Sequence, residues 1–198
     1  MKLLIVDCCI RGEASRTKQL LDRFLEALEP LPPEVERTYL NLMEMDLQYL
    51  SGDFFHQRQT LLEAGNRSHP RFDLAHAFAQ ADRIVIAAPF WDLSVPALLK
   101  VYIENISVDG ITFFCDEAGM HGKCRAQRLL FLTTRGDRFG SGPMEQGSRY
   151  LEALCRMFGI RGYQCIYAEG LDADPAGAEA AMAQALAEAE DAARDFLH

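Results

Sequence analysis

The chain predicts a doubly wound α/β fold, and two observations carry that prediction. Short apolar runs of strand length, Lys2–Asp7 and Ile84–Ala88 the clearest, lack polar alternation and are rich in β-branched residues, as parallel strands covered on both faces are. Between the runs lie segments with helical spacing of apolar residues, so five strands alternate with helices and imply a parallel sheet with right-handed crossovers.

Taken in order, Lys2–Asp7 is the first strand, followed by the loop Cys8–Ala14 and a helix opened by Ser15 and running to Leu28, with Leu20, Leu21, Phe24, Leu25 and Leu28 on one face. Pro30, Pro32 and Pro33 end it, and a second strand is expected over Glu34–Leu40. Met43–Gly65 is polar, acidic and aromatic, with a helix from Phe54 onward. Phe72–Ala81 reads as a helix feeding the central strand. Pro89 ends that strand, having no N–H to give to a neighbour. Ser94 then stands where an N-cap belongs, with Pro96 near the first helical positions, and Leu98, Leu99, Tyr102, Ile103 and Ile106 form the apolar face of the next helix. Asp109–Lys123 reads as an irregular excursion. Arg128–Thr134 is a strand, Met144–Phe158 a helix stopped at Gly159, Gln164–Ala168 a last strand, and Asp174–Leu197 an Ala-rich helix. No linker or repeat divides 1–198, which is expected to be one domain burying roughly 70% of its unfolded surface.

The charge balance, 20 Lys and Arg against 29 Asp and Glu for a net −9, has no basic run and argues against nucleic acid or an anionic membrane as partner. No apolar run approaches the ~20 residues of a membrane span, and Met1–Val6 is too short for a signal peptide. A cytoplasmic protein is expected. Six cysteines without C-x-x-C, and scattered histidines, argue for reduced thiols and against a metal site. The adjacent pair Cys8–Cys9 is either a redox switch or two small residues at a strand end.

Ligands of open α/β sheets lie at the carboxyl ends of the strands. Two loops there stand out. Phe90 and Trp91 fall between a strand end and a helix start; isolated aromatics pack against a partner or under a loop, but this setting suits the faces of a bound ring. In the first loop only Gly12 is present, so the G-x-G-x-x-G of dinucleotide folds is missing. Cys9, Arg11, Ser15, Arg16 and Thr17 instead surround a helix N-terminus, which favours a single phosphate. Ser15 by itself is equally an ordinary N-cap. The flavodoxin-like strand order 2-1-3-4-5 follows from this loop.

With these residues in place, the chain resembles the FMN-dependent NADH:quinone oxidoreductases and azoreductases of flavodoxin-like fold along nearly its whole length. Ile10 to Leu20 is similar to that family's FMN-phosphate loop, Pro89-Phe90-Trp91-Asp92-Leu93 to its P-M-Y-N-F loop, Thr133-Thr134-Arg135-Gly136 to its T-S-R-G loop, and Tyr167-Ala168-Glu169-Gly170 to its F-A-E-G signature. The resemblance implies that Ser15, Arg16 and Thr17 hold the FMN phosphate, that Pro89 to Leu93 lie along the isoalloxazine, and that Thr134, Arg135 and Gly136 close its pyrimidine end. It implies ping-pong transfer of a hydride from NADH or NADPH through FMN to a quinone or an azo or nitroaromatic acceptor, with Phe90 and Trp91 as stacking walls and no obligatory acid, base or nucleophile. It also implies a homodimer with active sites at the interface, Thr112-Phe113-Phe114 reaching across; the rival reading has Met43–Gly65 fold back as a lid on a monomer. Three residues depart from the family. Cys9 replaces a serine and is a weaker donor; Asp92 replaces an asparagine and opposes an anionic reduced flavin; Asp137 replaces a glycine where left-handed backbone is expected. A different class of function, an FMN electron carrier with no site for NAD(P)H, shares most of these features. A hydrolase does not, for G-x-S-x-G is absent and neither Cys8 nor Cys9 stands at C-x5-R spacing from Arg16 in the first loop.

Overall fold

The computed structural model describes all 198 residues. Strands β1 (Lys2–Asp7), β2 (Glu36–Asn41), β3 (Arg83–Ala87), β6 (Arg128–Thr134) and β7 (Gly162–Ala168) form one parallel sheet in the order β2-β1-β3-β6-β7. Counted among these five, that is the 2-1-3-4-5 order expected from the first loop. Helices α1 (Arg16–Leu28) and α6 (Pro175–Asp195) cover one face of the sheet; α3 (Asp73–Gln80), α4 (Ala97–Ile106) and α5 (Gly147–Phe158) cover the other. Side chains alternate across β1: Leu4 and Val6 enter the core under α3, α4 and α5, while Leu3 and Ile5 enter the core under α1 and α6. Burial on both faces is what the unalternating apolar runs of β1, β3 and β6 require.

Several expected boundaries move. Met43–Gly65 contains α2 (Gly52–Glu63), which fully buries no residue and rests Leu61 and Leu62 against the core under α3, α4 and α5. The helix expected from Met144 starts at Gly147, because Glu145 is drawn into the core ahead of it. Asp109–Lys123 is not irregular: β4 (Phe113–Asp116) and β5 (Gly119–Gly122) form an antiparallel hairpin. The hairpin lies so close to the end of α5 that a Cβ on Gly122 would overlap the backbone of Phe158 and Gly159. Gly159 itself ends α5 at φ 80°, a left-handed C-cap.

Ser94 does not cap α4. Pro96 occupies the cap position, with no side-chain hydrogen bond, and the helix starts at Ala97. Ser94 instead closes a tight turn with Trp91, each N–H donating to the other's carbonyl (3.1 and 2.8 Å). The two residues between them, Asp92 and Leu93, both have left-handed backbone, φ 48° and 66°. A two-residue connection with positive φ at both positions is ordinarily filled by Asn-Gly or Asp-Gly, and a leucine there costs about 1–2 kcal/mol. Asp137, where the left-handed conformation was expected, does not adopt it.

Candidate functional site

The carboxyl ends of β1, β3, β6 and β7 open into a cleft with two adjoining cavities. The smaller, about 170 Å³, lies at the start of α1 and is lined by Arg11, Ser15, Arg16, Thr134 and Pro89, among others. The larger, about 410 Å³, is walled by Phe90, Trp91, Leu93 and Phe139 and edged by Asp92, Asp137 and Asp172. Phe90, Trp91, Gly136 and Asp172 border both. The cleft thus joins a compact polar end to a flat aromatic end.

At the polar end α1 begins with Ser15 as N-cap, its hydroxyl accepting from the Lys18 N–H at 3.3 Å. The N–H groups of Arg16 and Thr17 fall in the first turn and have no partner within the helix, so an anion there meets free donors and the positive end of the dipole. The Thr17 hydroxyl is fully buried and lies 2.7 Å from that of Thr134. Two hydroxyls share one hydrogen bond in this pair, which leaves one proton to give to a ligand in the cavity that Thr134 lines. Arg16 reaches Asp172 (2.9 Å) and the Leu171 carbonyl (3.1 Å), so its charge is partly spent within the chain. A Cβ at Gly136 would meet the exposed Asp172 carboxylate, which would have to swing aside, so glycine keeps the junction of the two cavities open.

Two predicted site residues lie elsewhere. Cys9 is fully buried in the core under α1, its thiol 3.9 Å from the Ala87 carbonyl, and lines neither cavity. Its neighbour Cys8 enters the opposite core, and burial beside Asp7 pushes the Cys8 thiol up to about 12. Arg135 is 1% exposed and lines neither cavity. It pairs with Glu145 (3.3 Å) and Glu169 (3.4 Å), donates to the Gly140 carbonyl (3.2 Å) and lies over the Tyr167 ring at 4.1 Å. A guanidinium so engaged braces the wall behind the aromatic end of the cleft. Glu169 accepts from the N–H groups of Phe139 and Gly140 (3.1 and 2.9 Å), which fixes the segment carrying Phe139. Phe139 packs on Phe90 with centroids 4.8 Å apart.

Two supporting carboxylates escaped the sequence reading. Asp7, 2% exposed at the end of β1, accepts from the Cys9 N–H (2.9 Å) and from the Tyr39 hydroxyl (2.5 Å), anchoring the loop before Ser15. An acid closing an apolar strand is a visible signal for it. Glu145, equally buried, accepts from the N–H and hydroxyl of Ser148 and pairs with Arg135; nothing in its polar, Gly-rich surroundings marks it.

A parallel sheet in this order, with a helix N-terminus and an aromatic loop meeting across its carboxyl edge, defines a flavodoxin-like nucleotide-binding architecture. The family described as flavodoxin-like fold matches residues 1–193. The chain is 34% identical over 199 residues to FMN-dependent NADH:quinone oxidoreductase 2 of Clostridium acetobutylicum, covering 98% of this chain and 99% of that protein. It is 31% identical over 196 residues to the FMN-dependent NADH:quinone oxidoreductase of Clostridium beijerinckii, with 98% and 99% covered. Among solved structures, an azoreductase from Bacillus anthracis superposes with a TM-score of 0.88 at 24% identity, covering 99% of this chain and 100% of that one. An FMN-dependent NADH-azoreductase from the same species, in complex with FMN, superposes with a TM-score of 0.87 at 21% identity, over 100% and 99%. The chain belongs to the flavodoxin-like family of FMN-dependent NADH:quinone oxidoreductases.

Proposed function

We propose that this chain binds FMN in the two-ended cleft and uses it to pass reducing equivalents from NADH to a quinone or an azo or nitroaromatic acceptor. The observation that carries this reading is the junction of the cavities. A phosphate-sized pocket at a helix N-terminus runs directly into a slot walled by flat side chains, with Gly136 leaving room where they meet. Such a shape fits a monophosphate joined to a ring system; it offers no second phosphate site. The names of the relatives, FMN-dependent NADH:quinone oxidoreductases, support the cofactor and the donor.

When bound, FMN supplies the centre that accepts a hydride from the nicotinamide and yields it to the acceptor. The chain's own residues bind and orient. The Arg16 and Thr17 N–H groups, the Ser15 hydroxyl, the Thr17–Thr134 pair and the Arg11 guanidinium would hold the phosphate. Pro89, Phe90, Trp91, Asp92 and Leu93 on one side and Gly136 on the other would flank the ring, with Phe90 and Trp91 as stacking surfaces. Arg135 acts from behind, keeping Phe139 against Phe90. Because donor and acceptor would stack at the same aromatic end, we infer that they use it alternately, as in ping-pong kinetics. No proton-transfer residue is assigned.

We read residues 1–198 as one functional domain, cytoplasmic in keeping with six free cysteines; no helix is long and apolar enough to cross a membrane. We further infer a homodimer. Trp91 and Leu93 are 41% and 42% exposed beside the cleft, with Met144 at 57%, an apolar group of the kind that marks an interaction surface. Phe114 stacks on His121 in the hairpin and Thr112 is buried, so of the Thr112–Phe114 stretch only Phe114 presents a face outward. Titration of purified protein with FMN, followed by NADH oxidation with and without a naphthoquinone, tests the function. Binding of FMN with no quinone-dependent NADH oxidation would leave an electron carrier instead.

A further inference from the structure

The cleft has an electrostatic polarity that its shape does not require. Arg11 and Arg16 stand at the helix end. At the aromatic end three carboxylates edge the cavity, and no basic side chain lines it. Of the three, Asp172 is paired with Arg16. Asp92 has no ion-pair partner; nor has Asp137, whose carboxylate accepts only from the adjoining Arg138 N–H (2.7 Å). The cations nearby are committed elsewhere: Arg135 between Glu145 and Glu169, Arg138 to Asp174, and Arg149 to the Ser141 carbonyl (2.6 Å).

We propose that Asp92 and Asp137 make the aromatic end select its acceptor by charge, admitting neutral and cationic aromatics and turning away sulfonated or carboxylated ones. This rests on the reductase reading given above. The aromatic walls make the site; the two carboxylates, one on each side of it, set the sign of the potential that an acceptor meets there. Two unpaired charges within several ångströms of a stacked ring, at an effective dielectric between those of protein surface and water, change the affinity of a singly charged acceptor by about tenfold. The backbone holds Asp92 in place, since its left-handed φ of 48° belongs to the closed turn with Ser94. Asparagine tolerates that conformation as well as aspartate does, so D92N removes the charge and keeps the turn.

The experiment compares the FMN-loaded parent with D92N/D137N, using three naphthoquinones that differ only in one substituent on the benzo ring: neutral, sulfonate or trimethylammonium. Intrinsic reactivity cancels when the sulfonate-to-trimethylammonium ratio of kcat/KM in the variant is divided by that in the parent. That quotient is expected to be about a hundred at low salt, tenfold from each charged acceptor in opposite directions, and to shrink at about 0.5 M salt. E188Q/D191N on α6, which alters the net charge equally but far along the chain, serves as control and should leave the quotient within about twofold of one. A second readout needs no turnover. Trp91 is the only tryptophan, so its emission reports binding of non-reducible naphthalenesulfonate and naphthyltrimethylammonium, the cation tighter in the parent and the two alike in D92N/D137N. An unchanged ratio in the double variant, or an equal shift in E188Q/D191N, overturns the proposal. If none of the quinones supports NADH oxidation, the reductase reading fails, and the Trp91 titration alone then decides the charge selectivity.

Discussion

The loop before α1 and the loop after β3 sit at neighbouring strand ends, yet they are built in opposite ways. From Asp7 to Thr17 the chain is tied down: Asp7 anchors Cys9 and Tyr39, Ser15 caps the helix, and Thr17 is fully buried against Thr134. From Phe90 to Ser94 it is exposed and strained, with two consecutive left-handed residues and an indole in the open. A rigid donor cradle gives affinity for a fixed group such as phosphate, because little is left to order on binding. An open aromatic turn suits partners that must come and go. The difference suggests that cofactor retention lives at one end and acceptor choice at the other, and separate substitutions should pull the two apart.

The largest effect is expected at the brace that serves the aromatic end. Arg135→Leu leaves Glu145, 2% exposed, without its cation. Breaking a buried pair from one side costs about 3–5 kcal/mol, which in a domain of this size lowers the midpoint by roughly 10 °C. Thermal unfolding of the FMN-free protein measures it. A loss under about 1 kcal/mol would mean that the Arg135–Glu145–Glu169 cluster holds nothing in place and that the aromatic wall stands unaided.

Next comes the cradle. Thr17→Val keeps the shape but removes the hydroxyl that orients the Thr134 hydroxyl, so the Thr134 proton is no longer held towards the cavity. Hydrogen bonds to a charged acceptor contribute about 1.5–3 kcal/mol, and FMN affinity is expected to fall about tenfold. Riboflavin, which lacks the phosphate, should bind parent and variant alike. Equal weakening of both ligands would place Thr17 under the ring and erase the distinction between the two ends.

The aromatic end offers a smaller, electrostatic effect. Asp92→Asn removes an unpaired carboxylate from the edge of the cavity, and at a surface dielectric such a charge acts with about 1 kcal/mol on an anion a few ångströms away. For a two-electron couple that is an upward shift of roughly 20 mV in the potential of bound FMN. Redox titration of both proteins checks it; a potential that falls or stays unchanged would turn the carboxylate away from the ring.

Much of this architecture was legible in the sequence, for reasons that differ between elements. The strands at β1, β3 and β6 announce themselves because burial on both faces leaves no polar alternation, and the lone Gly12 in the first loop correctly excluded the dinucleotide order. The hairpin Phe113–Gly122 was missed because its stability comes from contact with the end of α5, which a local window does not contain. Ser94 was misplaced for a related reason: a serine two residues before a proline looks like a cap, but the carbonyl and N–H of Trp91 take its backbone first. At the site, residue types were readable and side-chain directions were not. Arg135 lies in a loop motif shared with flavoproteins, and only the tertiary partners Glu145 and Glu169 show that its guanidinium turns inward. The strain expected at Asp137 appears at Asp92 and Leu93, where no glycine advertises it.

The smallest effect, close to none, is expected from the thiols at the cradle. Cys8 and Cys9 are adjacent in sequence but enter opposite cores, as successive residues leaving a strand do. Joining them would require turning one side chain through the sheet. Burial also holds the thiols protonated: Cys8, Cys124, Cys155 and Cys165 are each pushed up to about 12. Thiolate, the reactive form, is therefore scarce at neutral pH. The sign of the linkage follows, since a group that keeps its proton longer in the folded state stabilises that state less as pH rises past its unfolded value. Stability should hold steady through pH 8 and decline from about pH 9 towards 12. Cys115 is exposed to solvent in β4. A chromogenic disulfide reagent at pH 8 should label one thiol quickly in the native protein, Cys115 by peptide mapping, and mild oxidation should leave FMN affinity unchanged. Rapid labelling of Cys8 or Cys9, or an oxidation that weakens FMN binding and is reversed by reductant, would show that the cradle opens and that its rigidity relative to the aromatic loop has been overstated.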